Sequence, residues 1–249
     1  MAILIKTTAE IEKMRRSGIA LRQVHEAVGA CIAPGASTMD LERVAVAKIE
    51  ELHAISAFKG YHGFPAALCT SINEEVVHGI PSEKRILNEG DIVSIDCGVV
   101  IDGFYSDSAV TYAVGKVSDA TQKLLDVTQA SLERAIQQAR VGGRLGDISH
   151  AVQEYCEAEG FGVVRDFVGH GIGRSMHEEP QIPNYGPSGK GPRLKPGMVL
   201  AIEPMINVGG HEVKVLADGW TTITADRSYS AHFEHTVAIT KDGPRVLTR

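Results

Sequence analysis

Leu87-Asn-Glu-Gly90-Asp-Ile-Val-Ser-Ile95-Asp96 returns later in the chain as Leu194-Lys-Pro-Gly197-Met-Val-Leu-Ala-Ile202-Glu203. Both stretches read Leu-x-x-Gly, three mostly apolar residues, a small residue, Ile, and then a carboxylate. Upstream, Val76-Val-His78-Gly79-Ile80 matches Val168-Gly-His170-Gly171-Ile172. Downstream, Asp107 and Glu234 each precede a valine by three residues, and Gly35 and Gly143 each precede an Asp-Leu or Asp-Ile pair (Asp40-Leu41, Asp147-Ile148). Matches in the same order point to an internal duplication, roughly residues 7–115 and 118–245 of a single domain spanning 1–249. Each half carries His, carboxylate, carboxylate. Two related halves packed about an approximate two-fold axis would bring these six side chains together.

The elements around the repeat agree. Thr7-x-x-Glu10 reads as a capping box opening a helix over 7–32, with Ile11, Met14, Ile19, Leu21 and Val28 as its apolar stripe, ended by Pro34-Gly35. A second helix is expected over 38–53, strands with turns over 68–114, helices over 119–140 and 147–159, and strands and Gly/Pro-rich loops from 161 onward, with 183–196 as one long loop. The order is helix, helix, strands, twice over, which places the chain in the α/β (α+β) class. Asp102-Gly103 between Asp91–Val100 and Phe104–Val114 signals a hairpin. A two-residue turn would set Asp107 opposite Gly98 with Asp96 as diagonal neighbour on the same face. A four-residue loop would set the two aspartates directly opposite, and a three-residue loop would put them on opposite faces.

The length suits one large domain or two small ones. The net charge of −6 does not imply a general nucleic-acid surface, and Lys13, Arg15 and Arg16 read as a solvated helix face. No apolar run approaches the ~18–20 residues of a membrane span, and Ala2–Ile5 is too short for a secretion signal. Cys31, Cys69, Cys97 and Cys156 lack metal-type spacing and suit free thiols in a reducing compartment, so the expected location is the cytoplasm.

Glu203 closes an otherwise apolar strand, and Glu234 follows Phe233 in the strand-like run Phe233–Thr240. For each carboxylate alone, a buried salt bridge would be the plainer reading. The four converge, however, and no Lys or Arg accompanies them locally; Lys84, Arg85 and Lys195 are the nearest. Burying such carboxylates uncompensated costs several kcal/mol each, on the order of magnitude of ion desolvation. Divalent cations remove that penalty. His170, between Gly169 and Gly171, adds an imidazole. Four carboxylates and one histidine make a hard, oxygen-rich set suited to two ions of Mn, Fe(II), Co or Zn, ~3.5–4 Å apart when they share carboxylates, for which hydrolysis through a hydroxide between them is the natural chemistry. His78 and His177 are candidates to hydrogen-bond substrate or developing negative charge. His235 is expected on the opposite strand face from Glu234. His25, His53, His62, His150, His211 and His232 read as surface or structural. Gly169–Gly173 lacks the Lys-Ser/Thr signature of a phosphate loop.

Val77-His78-Gly79-Ile80-Pro81, Ile95-Asp96-Cys97-Gly98, Asp102-Gly103-Phe104-Tyr105-Ser106-Asp107, Gly169–Gly173, His177-Glu178-Glu179-Pro180, Ile202-Glu203-Pro204 and Phe233-Glu234-His235-Thr236 together resemble the bacterial, type I methionine aminopeptidases of metallopeptidase family M24, over nearly the whole chain. The resemblance implies the pita-bread fold, two pseudo-symmetric halves around a mostly antiparallel sheet. It implies that Asp96 holds one metal, His170 with Glu203 the other, and that Asp107 and Glu234 bridge. A bridging hydroxide would attack the carbonyl of the first peptide bond, Glu203 would shuttle the proton, His177 would support the tetrahedral intermediate and His78 would contact substrate near the scissile bond. The substrate would be a nascent chain beginning with Met and a small second residue, met as it leaves the ribosome; a monomer is the default expectation, independent of the resemblance. Tyr61, Phe64, Cys69 and Trp220 would line the methionine pocket. Phe58 and Met176 stand at rim positions, Met176 where the family pattern leads one to expect an aromatic ring. The roughly six residues ahead of the first helix resemble the short bacterial form rather than forms with a zinc-binding extension or an extra N-terminal domain. A proline-directed peptidase of the same fold is the alternative, followed by a non-catalytic binding protein, which would be expected to lose ligands, and a di-metal phosphoesterase.

Overall fold

The computed structural model describes residues 2–249; Met1, the first residue of the domain expected over 1–249, lies outside the described residues. Helices α1 (Thr8–Gly29) and α2 (Thr38–Glu51) come first. Each begins on a capping box, Thr7 with Glu10 and Ser37 with Asp40, which gives partners to N–H groups a helix start leaves unpaired. α1 stops at Gly29, three residues short of the expected end, where Ala30 turns its N–H back to the Glu26 carbonyl. Strands β1 (Ile55–Ser56), β2 (Leu68–Ile72) and β3 (Glu75–Val77) precede the long hairpin β4 (Ile92–Ile101) and β5 (Phe104–Ala113).

Helices α3 (Asp119–Gln138) and α4 (Leu145–Ala158) follow. α4 starts two residues earlier than its sequence suggests, because the Asp147 carboxylate sits in the first turn and accepts from the Arg144 N–H at 2.7 Å. The rest is strand and loop: β6 (Gly162–Val163), β7 (Gly169–Gly171), β8 (Glu178–Ile182), β9 (Val199–Ile202), β10 (Met205–Asn207), β11 (Val213–Val215), β12 (Thr222–Thr224), β13 (Ser230–His232), β14 (His235–Thr240) and β15 (Gly243–Val246). The strand pairs described are antiparallel.

In the β4–β5 hairpin Ile101 pairs with Phe104, so the turn is the two residues Asp102 and Gly103, both left-handed (φ 51° and 75°). That register sets Gly98 opposite Asp107 and Asp96 opposite Ala109, the diagonal arrangement. On its other edge β4 pairs with β2, Cys69 opposite Asp96. β9 lies between β7 and β14, with His170 and Thr236 both opposite Ala201.

Helices cover one face of these strands. Leu21, Val24, Val28, Leu41 and Ala45 pack on Leu68, Val93, Ile95 and Val99. Leu124, Leu132, Ile136, Ile148 and Val152 pack on Leu200, Ile202, Val237 and Ile239. Because strand side chains alternate, an apolar residue committed to the helices turns its neighbour to the other face: Ile95 and Cys97 go inward and Asp96 goes out. Truncating one such Leu or Ile to Ala costs about 2–5 kcal/mol.

Hydroxyls join β5 to the stretch 232–236. Thr236 Oγ1 donates to the Asp107 carbonyl at 2.8 Å and accepts the Asp107 N–H at 3.0 Å. Thr111 Oγ1 does the same for His232, both at 2.8 Å, and the Glu234 N–H donates to the Ala109 carbonyl at 2.9 Å. The two carboxylate-bearing segments are thereby fixed against each other.

Candidate active site

The uncovered strand face forms a cavity of about 250 Å³. Asp96, Asp107, His170, Glu203 and Glu234 all line it, as do His78, His177, Tyr61, Phe64, Cys69 and Trp220. The six repeat-related residues are thus brought to one place. Asp107 comes from β5, Asp96 from β4, Glu203 from the end of β9, and Glu234 from the break between β13 and β14. His170 is at the centre of β7, which lies tightly between its neighbours: a Cβ on Gly169 would fall 2.4 Å from the Ala201 carbonyl oxygen, and one on Gly171 2.2 Å from that of Glu179. The flanking glycines therefore serve close backbone approach.

His170 Nδ1 is 2.9 Å from the Gly171 carbonyl oxygen, which can only accept, so Nδ1 carries the proton. Burial pushes this imidazole down to about 4, so it is neutral and its Nε2 presents a lone pair. That lone pair stands 3.7 Å from Asp107 Oδ2 and 3.7 Å from Glu203 Oε1. Three carboxylate oxygens, Asp96 Oδ1, Asp107 Oδ1 and Glu234 Oε1, are buried without a hydrogen-bond partner. Among the described residues no Lys or Arg pairs with any of the four carboxylates. Burial, and then the neighbouring Asp107, pushes Asp96 well above the usual carboxylate range. Glu203 and Glu234 are raised likewise by burial and the surrounding aspartates, and burial lifts Asp107 to about 8. Donor atoms of Asp107, His170 and Glu234 lie within 4.8 Å of one another. Lone pairs converging without a Lys or Arg partner are what a divalent-ion site looks like in its donor chemistry.

Apolar walls adjoin the acids. Phe64 meets Trp220 edge-on at 5.1 Å, and Cys69, opposite Asp96 of β4, belongs to the same apolar cluster. Its thiol is held far above its ordinary value by burial and then by Asp96, so it is a packing group rather than a nucleophile. Phe58 and Met176, expected at the rim, are buried at 8% and 4% exposure. They pack against Gly98, where a Cβ would meet Phe58 Cε1 at 2.8 Å. His177 Nδ1 is 2.7 Å from the Tyr61 hydroxyl, and its ring is 4.3 Å from that of His170. His78 adopts a left-handed backbone (φ 62°) and is edge-on to Trp220 and Phe167. Burial holds His78 and His177 at about 4, so both are neutral.

Three features escape sequence reasoning. His232, read as surface or structural, is 2% exposed and brings Nε2 to 3.8 Å from Glu203 Oε2. The alternation rule applied two residues back from Glu234 could have found it. Asn184, from the long loop, donates to the Glu203 carbonyl at 2.9 Å, and His62 lines the cavity; neither carried a signal. His235 does turn away from Glu234, onto Thr248. A larger hollow of about 600 Å³ between α1 and α3 contains His25, His235 and Arg249, but its Glu133 is paired with Arg249, so it offers no comparable acid cluster.

Residues 12–241 match Metallopeptidase family M24. Methionine aminopeptidase 1 of Bacillus subtilis is 53% identical over 247 residues, covering 99% of each chain. The crystal structure of a methionine aminopeptidase from Thermotoga maritima superposes with a TM-score of 0.98 at 49% identity, covering 100% of both chains. A prolidase from Pyrococcus furiosus superposes with a TM-score of 0.78 at 25% identity, over 98% of this chain and 65% of that one.

Proposed function

This chain belongs to metallopeptidase family M24, and from that premise we propose how its own residues divide the work of removing an N-terminal methionine. The reaction is metal-dependent hydrolysis of the first peptide bond, and the fold is the pita-bread fold shared by methionine aminopeptidases and prolidases. The observation that supports the site reading best is the buried ring of four carboxylates around Nε2 of His170, three of them with an oxygen that has no hydrogen-bond partner.

In this reading Asp96 would hold one divalent ion, His170 and Glu203 a second, and Asp107 and Glu234 would contribute to both. The donor set suits Mn, Fe(II), Co or Zn. Bound there, such ions supply Lewis acidity toward a carbonyl and make water a nucleophile at neutral pH. The remaining work belongs to the chain. Glu203, which lines the cavity beside the reacting centre, would take a proton from the attacking water and return it to the leaving amine. The Tyr61 hydroxyl donates to His177 Nδ1, so that His177 Nε2 keeps its proton and offers it to the oxygen that becomes negative. His78, set at the cavity wall by its left-handed backbone, contacts the substrate beside the scissile bond. Tyr61, Phe64, Cys69 and Trp220 receive the methionine side chain, with Phe58 and Met176 closing the far end. Thioether–aromatic contacts favour that side chain in such a pocket. The small volume of the cavity supports a requirement for a small second residue.

We read residues 1–249 as one catalytic domain with an internal repeat, acting as a monomer in the cytoplasm on nascent chains, with transient ribosome contact. No described helix is long and apolar enough to cross a membrane. The proline-directed alternative shares the fold, but at half the identity and over only part of the relative's length. A binding protein without catalysis is disfavoured by the presence of all five candidate ligands in one cavity.

The test compares Met-Ala-Ser, N-acetyl-Met-Ala-Ser and an X-Pro peptide, each with Mn(II) or Co(II) and with a chelator. Release of Met from the free peptide alone, lost on chelation, is expected. Cleavage only at X-Pro would move the chain to the proline-directed branch, and cleavage of none with metal bound would overturn the peptidase reading.

A further inference from the structure

His232 does not line the substrate cavity, yet one of its ring nitrogens is committed toward it. Nε2 is fully enclosed and has no hydrogen-bond partner, and the acceptor facing it is Glu203 Oε2 at 3.8 Å. The other oxygen of the same carboxylate, Oε1, faces His170 Nε2 at 3.7 Å. Glu203 is thus flanked by two imidazoles, one per oxygen. The backbone of His232 is held on both sides by Thr111, whose hydroxyl accepts its N–H and donates to its carbonyl, each at 2.8 Å. Ser94 Oγ, 2.8 Å from Thr111 Oγ1, supports that hydroxyl in turn. The His232 backbone is thus anchored through contacts that do not involve Glu203.

We infer that His232 is a positioning residue for Glu203: its Nε2–H holds Oε2 and thereby leaves Oε1 turned toward His170 and the metal. Glu203 as a metal ligand is ionised and only accepts, so in that state the proton of the neutral His232 ring belongs on Nε2. A shift of about 1 Å in either side chain brings the pair to ordinary N–H···O length, and such contacts around reacting groups are commonly long before the site is loaded. His232 is not itself a ligand in this account. The three donor atoms that converge within 4.8 Å among the described residues belong to Asp107, His170 and Glu234, and His232 is not part of that group. Partners that orient a metal-binding carboxylate act on metal affinity and on turnover together.

The inference rests on Glu203 holding metal, and its test separates the two. Mn(II) is titrated calorimetrically into metal-stripped wild type, H232Q, H232N and H232L, and kcat and KM for Met-Ala-Ser are then measured at saturating Mn(II). The amide nitrogen of glutamine reaches where Nε2 stands; that of asparagine reaches only to the Nδ1 position. H232L is expected to bind Mn(II) about 10–100-fold more weakly and to lose kcat by the same order with KM little changed, H232Q to recover to within about threefold of wild type, and H232N to stay with H232L. If H232L does not fold, the contrast of H232Q with H232N decides. Equal behaviour of all variants and wild type, or of H232Q and H232N, overturns the positioning role. Loss of one bound ion in every variant overturns it in favour of direct ligation. A wild type that binds no Mn(II) overturns the metal reading beneath it.

Discussion

Asp107 sits in an enclosed setting with Oδ1 unpartnered, and burial raises it to about 8. Asp96, Glu203 and Glu234 are displaced in the same direction. Each of these groups binds its proton more tightly in the folded state than in the unfolded one, so its contribution to stability is complete below the unfolded carboxylate range and is lost as pH rises through the folded value. The metal-free protein is therefore expected to lose thermal stability between about pH 4, where free carboxylates ionise, and about pH 8, where Asp107 does. Mn(II), which binds the ionised ligands, should reverse that slope, adding about 2.7 kcal/mol at a hundred times its Kd. Asp107→Asn removes one of the crowded charges. Thermal midpoints of the metal-free variant should exceed those of the wild type near pH 8, while Met-Ala-Ser turnover falls by more than the about 100-fold that loss of a mere supporting partner brings. A variant as active as wild type, or a flat pH–stability curve without metal, would show that the acids do not form a strained metal cradle.

At the scale of elements, the site depends on how β5 meets the stretch between β13 and β14. No ladder of backbone hydrogen bonds runs the length of this seam; Thr236 and Thr111 replace missing backbone partners with their hydroxyls, one at each end of the Glu234–Ala109 contact. Thr236→Val keeps the shape and removes both bonds to Asp107. It is expected to cost about 1–3 kcal/mol, which for a chain of this size lowers Tm by about 2–4 °C per kcal/mol, and to weaken Mn(II) binding; Thr236→Ser should restore both. Calorimetry of the three proteins checks this, and unchanged Mn(II) affinity in Thr236→Val would mean that the seam is not what places Asp107. These stitches join residues 129 and 121 positions apart, so nothing in the local pattern of either segment announces them.

Across the whole molecule, what could be read in advance was what strand periodicity and repetition encode. An acid after an apolar run, once within β4 and once at the end of β9, with a glycine-flanked histidine before it in the second case, predicted which side chains would meet, and Asp102-Gly103 set the hairpin register that puts Asp96 and Asp107 on one face. Positions defined by packing from outside their own segment were not legible. His232 looked like a structural histidine because its environment is made by Thr111 and Glu203. Asn184 lies in a loop whose path no periodicity fixes, and the burial of Phe58 and Met176 depends on the room that Gly98 leaves them. The helix ends at Gly29 and Leu145 shifted by two or three residues, since carboxylates and backbone turns choose the last bond of a helix.

The central claim is that these five side chains, and no other place among the described residues, hold the divalent ions. Crystals soaked in Mn(II), measured on both sides of the manganese absorption edge, test it most directly. The account predicts two anomalous peaks in the cavity, one within ligand distance of Asp96 and one of His170 and Glu203, with Asp107 and Glu234 reaching both. Peaks elsewhere on the protein, or none in the cavity while the same preparation releases methionine in a Mn(II)-dependent manner, would contradict it.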